Sequence, residues 1–251
     1  MSDSTVVLIT GVGRGIGRAL FENYLTRPNH TVIGSVRNSH APSVQELRDL
    51  PTAEGSRLLL VSIESTSAED IPKAVQEMAS SGINHLDLVI ANSGICPTPQ
   101  PLETVDIEDI KTAFTVNTIG PILLWKGLKP LLEKSKRSPK WVSMSTGAAS
   151  LERLEVHQAH GVAAYGITKA SFNWFTLAIH SANPWLTTFA VHPGLVQTEM
   201  GNMGAKMMGM EKAPNTLEES ITKTVGVIDA SKRDTTSGKF LNVIDGTVIP
   251  W

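Results

Sequence analysis

The sequence carries one cysteine, Cys96, in 251 residues, so an internal disulfide is excluded and a reducing compartment suits the chain. It has no apolar run of the roughly 18 residues that a membrane-spanning helix requires. Its net charge is only -2, whereas binding a phosphate backbone calls for a strong excess of Lys and Arg, so no nucleic-acid partner is expected. MSDSTVVLIT runs directly into a strand-like VVLI and leaves no room for a signal or transit segment. A cytoplasmic protein without membrane contact is the expectation. Repeats, low-complexity tracts and linkers that would mark a domain boundary are also missing, as is any His/Cys/Asp cluster with metal-ligand spacing. One domain over 1–251 with no metal site follows.

What is present is alternation. Apolar runs resembling buried strands recur at 6–10 (VVLIT), 31–36 (TVIGSV), 57–63 (RLLLVSI), 86–92 (LDLVIAN), 140–145 (KWVSMS), 187–192 (TTFAVH) and 240–244 (FLNVI). They are continuous, as expected of strands covered on both faces. Helical composition separates them, notably over 17–27, 105–134 and 163–182. The pattern predicts an α/β fold: a Rossmann-type doubly wound parallel sheet in three layers. Two irregular stretches, ICPTPQPLET (95–104) and GNMGAKMMGMEKAPN (201–215), fall at carboxyl ends of strands, where such sheets bind ligands.

After the first strand comes TGVGRGIG (10–17). Its glycines, Gly11, Gly15 and Gly17, fit GxxxGxG rather than GxGxxG, and such a turn lets the backbone approach a pyrophosphate at a helix N-terminus. The alternative is a purely structural glycine turn. A carboxylate for the adenine ribose is expected about 20 residues on, yet none occurs from His30 to Asn38; Arg37 stands there instead. With Arg14 in the turn, two guanidinium forks are available for a 2′-phosphate, which favours NADP(H) over NAD(H). Either arginine could equally be a solvated surface residue.

AAYGITKA sets Tyr165 and Lys169 four apart, on one helix face. An ammonium beside the phenol is expected to lower its pKa from about 10. YxxxK alone is a common chance pattern. Together with TGVGRGIG, NSG after the fourth strand and HPGLVQT after the sixth, it makes the whole chain resemble the short-chain dehydrogenase/reductase family. In wording it is most similar to fungal ketoreductases of the norsolorinic acid ketoreductase type, which act on polyketide ketones.

That resemblance implies an enzyme and assigns roles. Tyr165 would be the general acid in carbonyl reduction, or the base in the reverse direction. Lys169 would hold the nicotinamide ribose and tune the tyrosine, and Asn117 would sit at a helix break that holds a relay water. Ile16 would follow the turn under the pyrophosphate; Asn92 and Gly94 would pack against the cofactor; Val196 and Thr198 would meet the nicotinamide carboxamide. Glu64 would take the place of the usual adenine-binding Asp, with Ser62 as the alternative. Family members are commonly homodimers or homotetramers, through helices that begin here near Val105 and Ala163, with Trp125 and Trp174 in the interface or the core.

The family also needs a hydroxyl at the end of the fifth strand to bind the substrate oxygen. Aligning SMSTGAAS (143–150) with the family wording elects Thr146; a shift of one residue elects Ser145. LERLEVHQAHG (151–161) lengthens the interval to Tyr165, and His157 and His160 within it either contact substrate or remain solvated. The segment 199–215 would be a substrate lid, in which Met200, Met203, Met207 and Met208 suit a flat hydrophobic ketone or simply pack a short helix. The reading is an NADPH-dependent ketoreductase of secondary metabolism acting on a small-molecule carbonyl. An alcohol dehydrogenase running oxidatively and a non-catalytic dinucleotide sensor or scaffold are its alternatives.

Overall fold

A computed structural model of the protein describes residues 4–251. Eight strands form one sheet in the order β3-β2-β1-β4-β5-β6-β7-β8: β1 (Thr5–Thr10), β2 (His30–Val36), β3 (Arg57–Ser62), β4 (Leu88–Ala91), β5 (Lys140–Met144), β6 (Thr187–His192), β7 (Phe240–Asn242) and β8 (Val248–Ile249). The first seven pair in parallel, and β8 closes the edge antiparallel to β7. All seven expected strands are present, with ends shifted by up to two residues. The two-residue β8 is too short to leave a sequence pattern.

Continuous apolar runs have a simple cause. In β1, Val7 and Ile9 enter one core and Val6 and Leu8 the other, because alternate side chains leave opposite faces. The first core is closed by α1 (Gly15–Leu25) and α8 (Leu217–Ala230), through Leu20, Phe21, Ile221 and Val225. The second is closed by α3 (Asp70–Ser80), α5 (Gly120–Leu132) and α6 (Ala163–Ala182), through Met78, Leu128 and Phe172. Three layers result, as the alternation predicts. A short α2 (Gln45–Arg48), α4 (Ile107–Phe114) and α7 (Glu199–Met207) complete the helices.

Strand order reverses between β1 and β4, so their carboxyl ends flank the crevice where doubly wound sheets bind ligands. The long helical segment expected over 105–134 is interrupted by one π-turn at Thr115–Ile119, between α4 and α5. Trp125 packs edge-on against the fully buried Trp141, at 5.3 Å between ring centroids, and so belongs to the core margin. Trp174 projects from α6 and is 73% exposed. Among the described residues no helix is long and apolar enough to cross a membrane.

Candidate active site

The glycine turn lies at the end of β1. Gly11 and Gly15 have φ of +74° and +60°, the left-handed region that glycine enters without strain. Gly17 is required by contact: a Cβ there would lie 2.3 Å from the Gly11 carbonyl oxygen and 2.4 Å from Asn92 Nδ2. Asn92 is thereby explained as a buttress, since its Nδ2 donates to the Thr10 carbonyl at 2.9 Å while the Thr10 hydroxyl accepts from the backbone N–H groups of Asn92 and Ser93. Helices α4, α7 and α8 are capped by Asp106, Thr198 and Thr216, but α1 has neither a capping side chain nor an acid in its first turn. Its N-terminal N–H groups are thus left for an anion. These features fit a dinucleotide pyrophosphate.

Arg37, at the end of β2, is exposed. Arg14 is ion-paired with Glu199 at the start of α7, both side chains being about 80% exposed; such pairs contribute about 0–1 kcal/mol. Ile16 turns inward and packs against the first core. Glu64 is half-buried, and its carboxylate accepts from Thr66 N–H at 3.4 Å. It lines a shallow cleft with Ser65, Ala91, Ser93, Val116 and Gly120, on the β3–β4 side of the crevice. Ser62 is turned away, its hydroxyl donating to Ser39 at 3.0 Å. Val196 is buried and pairs with Asn215, while Thr198 caps α7 through Gly201 N–H at 3.1 Å. The Thr198 methyl reaches the glycine turn, 3.7 Å from where a Gly15 Cβ would stand.

On the β4–β5 side, Asn117 sits fully buried in the π-turn. It exchanges two hydrogen bonds with the Ile95 backbone, both 2.8 Å, and donates to Thr168 Oγ1 at 3.0 Å, tying the loop after β4 to α6. Gly94 lies between them, its absent Cβ position 3.1 Å from Asn117 Oδ1 and 3.4 Å from Lys169 Nζ. Lys169 is 3% exposed, donates to the Met144 carbonyl at 2.9 Å and lies 5.8 Å from the Tyr165 ring centroid. Burial lowers its pKa to about 8. The phenol behaves differently from expectation: burial, then the Cys96 thiol, push the Tyr165 pKa up, not down. Lys169 spends a hydrogen bond on Met144, and the cost of burying a phenolate dominates. Cys96 shares this pocket; burial raises its thiol to about 11 against the opposing pull of Lys169. Read from the sequence only as a redox marker, it is placed here by its position two residues beyond Gly94.

Ser145 and Thr146 part company at the end of β5. Ser145 is 4% exposed and its hydroxyl donates to Asn173 Oδ1 on α6 at 2.6 Å. Thr146 is half-buried and begins a tight turn, Gly147–Ala149, where its Oγ1 accepts from Ala148 N–H at 3.3 Å and its own proton is engaged by no described residue. That turn packs on α6 beside Tyr165: a Cβ on Gly166 would be 3.5 Å from the Ala148 carbonyl. In the following segment His160 is exposed, but His157 is half-buried against Gly147. In α7, Met200 and Met207 are exposed and Met203 half-buried, and Met208, which ends the helix, is exposed. Met207 reaches across, its Cε 3.5 Å from where a Gly161 Cβ would stand, so α7 and the 151–161 segment meet.

A doubly wound sheet with this glycine turn and this Asn-Tyr-Lys arrangement defines a dinucleotide-dependent oxidoreductase. The sequence model of the short chain dehydrogenase family matches residues 5–208, and the chain belongs to that family. It is 48% identical to the short-chain dehydrogenase srdF of Neurospora crassa, over 100% of this chain and 99% of the relative. It is 36% identical to norsolorinic acid ketoreductase of Aspergillus parasiticus, over 99% and 92%. The crystal structure of NADPH-bound carbonyl reductase from chicken fatty liver is similar at a TM-score of 0.85 and 27% identity, covering 99% of both chains.

Proposed function

We propose that the protein is an NADPH-dependent ketoreductase acting on a hydrophobic, aromatic, polyketide-like ketone of secondary metabolism. The observation that carries this reading is the buried Lys169 held under Tyr165 at the mouth of the crevice that begins at the glycine turn. NADPH, when bound, supplies the hydride that reaches the carbonyl carbon. Tyr165 donates its phenolic proton to the carbonyl oxygen; a pKa raised by burial keeps that proton in place at neutral pH, the state that reduction needs. Lys169, still largely charged at neutral pH, offsets the phenolate that forms and holds the nicotinamide ribose. Thr146 donates a hydrogen bond to the developing alkoxide, because Ser145 is already committed to Asn173. Asn117 holds the loop and helix that frame these groups and serves the proton relay.

For the cofactor, the glycine turn with Gly11, Gly15, Ile16 and Gly17 receives the pyrophosphate. Asn92 and Gly94 back it, Glu64 edges the adenine cavity, and Val196 and Thr198 border the carboxamide. Arg37 binds the 2′-phosphate, and the weak ion pair of Arg14 with Glu199 yields to the stronger charge-assisted bonds of a phosphate. The NADPH-bound carbonyl reductase likeness and the norsolorinic acid ketoreductase relatives support the choice of cofactor and substrate. We further assign one NADP-binding domain over 1–251 with a lid over 199–215, a cytoplasmic location, and a homodimer or homotetramer through α4 and α6, where Ile107 and Trp174 are exposed. The test is to mix purified protein with NADPH or NADH and a panel of aryl and polyketide ketones. Ketone-dependent oxidation of NADPH over NADH is expected. Tight cofactor binding without turnover would favour a sensor.

A further inference from the structure

The segment between the Gly147–Ala149 turn and α6 has no hydrophobic core of its own. Its first anchor is Ser150, whose hydroxyl donates to the Pro250 carbonyl at 2.6 Å and accepts from Arg153 N–H at 3.2 Å. Within it, His157 N–H bonds Arg153 O and Ala159 N–H bonds Leu154 O, each at 2.9 Å. Leu151, Leu154 and Val156 are turned to solvent, so apolar packing by these side chains does not hold the segment down. Besides the small, buried Ala159, the side chain that turns inward is the half-buried His157. Its imidazole lies flush on Gly147: a Cβ there would be 2.6 Å from Cε1 and 2.8 Å from both ring nitrogens, so no larger residue could occupy the seat without displacing the ring. The ring also meets His192, the last residue of β6, edge-on at 6.0 Å between centroids. The next residue, Gln158, is held left-handed at φ 49°, a strained conformation for a non-glycine that persists only where its surroundings enforce it.

We propose that His157 is a positioning residue: seated on Gly147 and against His192, it locks the 151–162 segment and so fixes both the turn that presents Thr146 and the start of the helix that presents Tyr165. The coupling is short on both sides. Gly147 directly follows Thr146, and Ala159, two residues beyond His157, packs on Gly166 with its carbonyl 3.7 Å from the Cβ position, directly after Tyr165. This role rests on the ketoreductase reading, since the two hydroxyls it aligns are the ones assigned there to substrate.

The seat needs neutral rings. His192 Nδ1 is out of solvent and has no hydrogen-bond partner among the described residues. The charged groups that bear on the pair are Arg153, on the segment itself, and Asp245, which follows β7. Burial first and Arg153 second hold His157 below its ordinary value; burial first and His157 second hold His192 at about 4, with Asp245 opposing. A released imidazole titrates near 6.5. Seating is therefore at full strength above about pH 6.5 and weakens as the pH falls below it, because only the released segment takes up the proton.

The experiment compares full-length wild type with His157→Ala and His157→Phe. The readouts are steady-state ketone reduction from pH 5.5 to 8, NADPH affinity, and hydrogen exchange of the 151–162 amides. His157→Ala is expected to lower kcat at pH 7.5 about tenfold or more, with KM and NADPH affinity nearly unchanged, and to speed exchange across 151–162. His157→Phe keeps a ring in the seat but cannot titrate. It should restore kcat at pH 7.5, slow exchange again, and retain activity at pH 5.5, where wild type declines. Wild-type kcat and exchange in His157→Ala would overturn the proposal. So would His157→Phe failing as badly as His157→Ala while its exchange is slow, since the imidazole would then act on substrate chemically. A wild type inactive on every ketone would sink the ketoreductase reading, whereas the exchange data would still judge the seat.

Discussion

Along the carboxyl edge of the sheet, the side near β1 and β2 is shaped by backbone conformation, whereas the side near β5 and β6 is assembled by side chains from distant segments. On the first side, two left-handed glycines turn the chain and bring it onto Ser35, whose carbonyl accepts from both Gly11 and Val12 N–H at 3.0 Å. On the second, Ser145 is held by Asn173, Ser150 by Pro250, and Gly161 meets Met207. A side-chain-built wall can change without disturbing a turn that is set by backbone conformation. On the proposed function the contrast would separate residues that hold a cofactor from residues that act on a substrate, and substitutions on the two sides should then fail in different ways.

The largest effect is expected at Tyr165. Tyr165→Phe should reduce kcat by about 10²- to 10⁴-fold, the usual worth of a general acid, while NADPH titration gives the wild-type Kd. Parallel loss of both would mean that the two sides are not separable. Arg37→Asp should do the reverse. Removing one charge-assisted contact and adding a repulsive carboxylate should weaken NADPH about 10- to 100-fold, with NADH affinity and kcat at saturation little changed; equal loss for both cofactors would place Arg37 away from the 2′-phosphate. A smaller, graded effect is expected from pH. Lys169 loses its charge as pH rises through about 8, so the reductive rate should hold its plateau from about pH 6.5 up to that value and fall by up to about tenfold per unit above it. A profile flat to pH 9.5 would remove Lys169 charge from the mechanism.

How much of this was legible in the sequence follows the same divide. Strand positions were readable because both faces of the sheet are covered and every residue of TVVLIT but the first is buried. The limits of α6, 163–182, coincide with the helical pattern, and the glycine spacing announced the turn. Arg14 was legible as a guanidinium in the turn, but its pairing with Glu199 spans 185 positions and leaves no local trace. Equally hidden were the raised phenol of Tyr165, which depends on burial rather than on its i+4 neighbour, and the neighbourhood of Cys96. Between Ser145 and Thr146 the alignment elected Thr146, but the bond that engages Ser145 left no local trace, because Asn173 is 28 positions away.

That choice is also where the account is most directly tested. Thr146→Ala and Ser145→Ala should be compared in kcat for ketone reduction and in unfolding free energy. Thr146→Ala is predicted to lose about 10²- to 10³-fold in kcat, as for removal of one oxyanion donor, with stability nearly unchanged. Ser145→Ala is predicted to keep most of its kcat and lose about 1–3 kcal/mol of stability, because Asn173 is left buried without its partner. The reverse pattern, with activity lost only in Ser145→Ala, would contradict it.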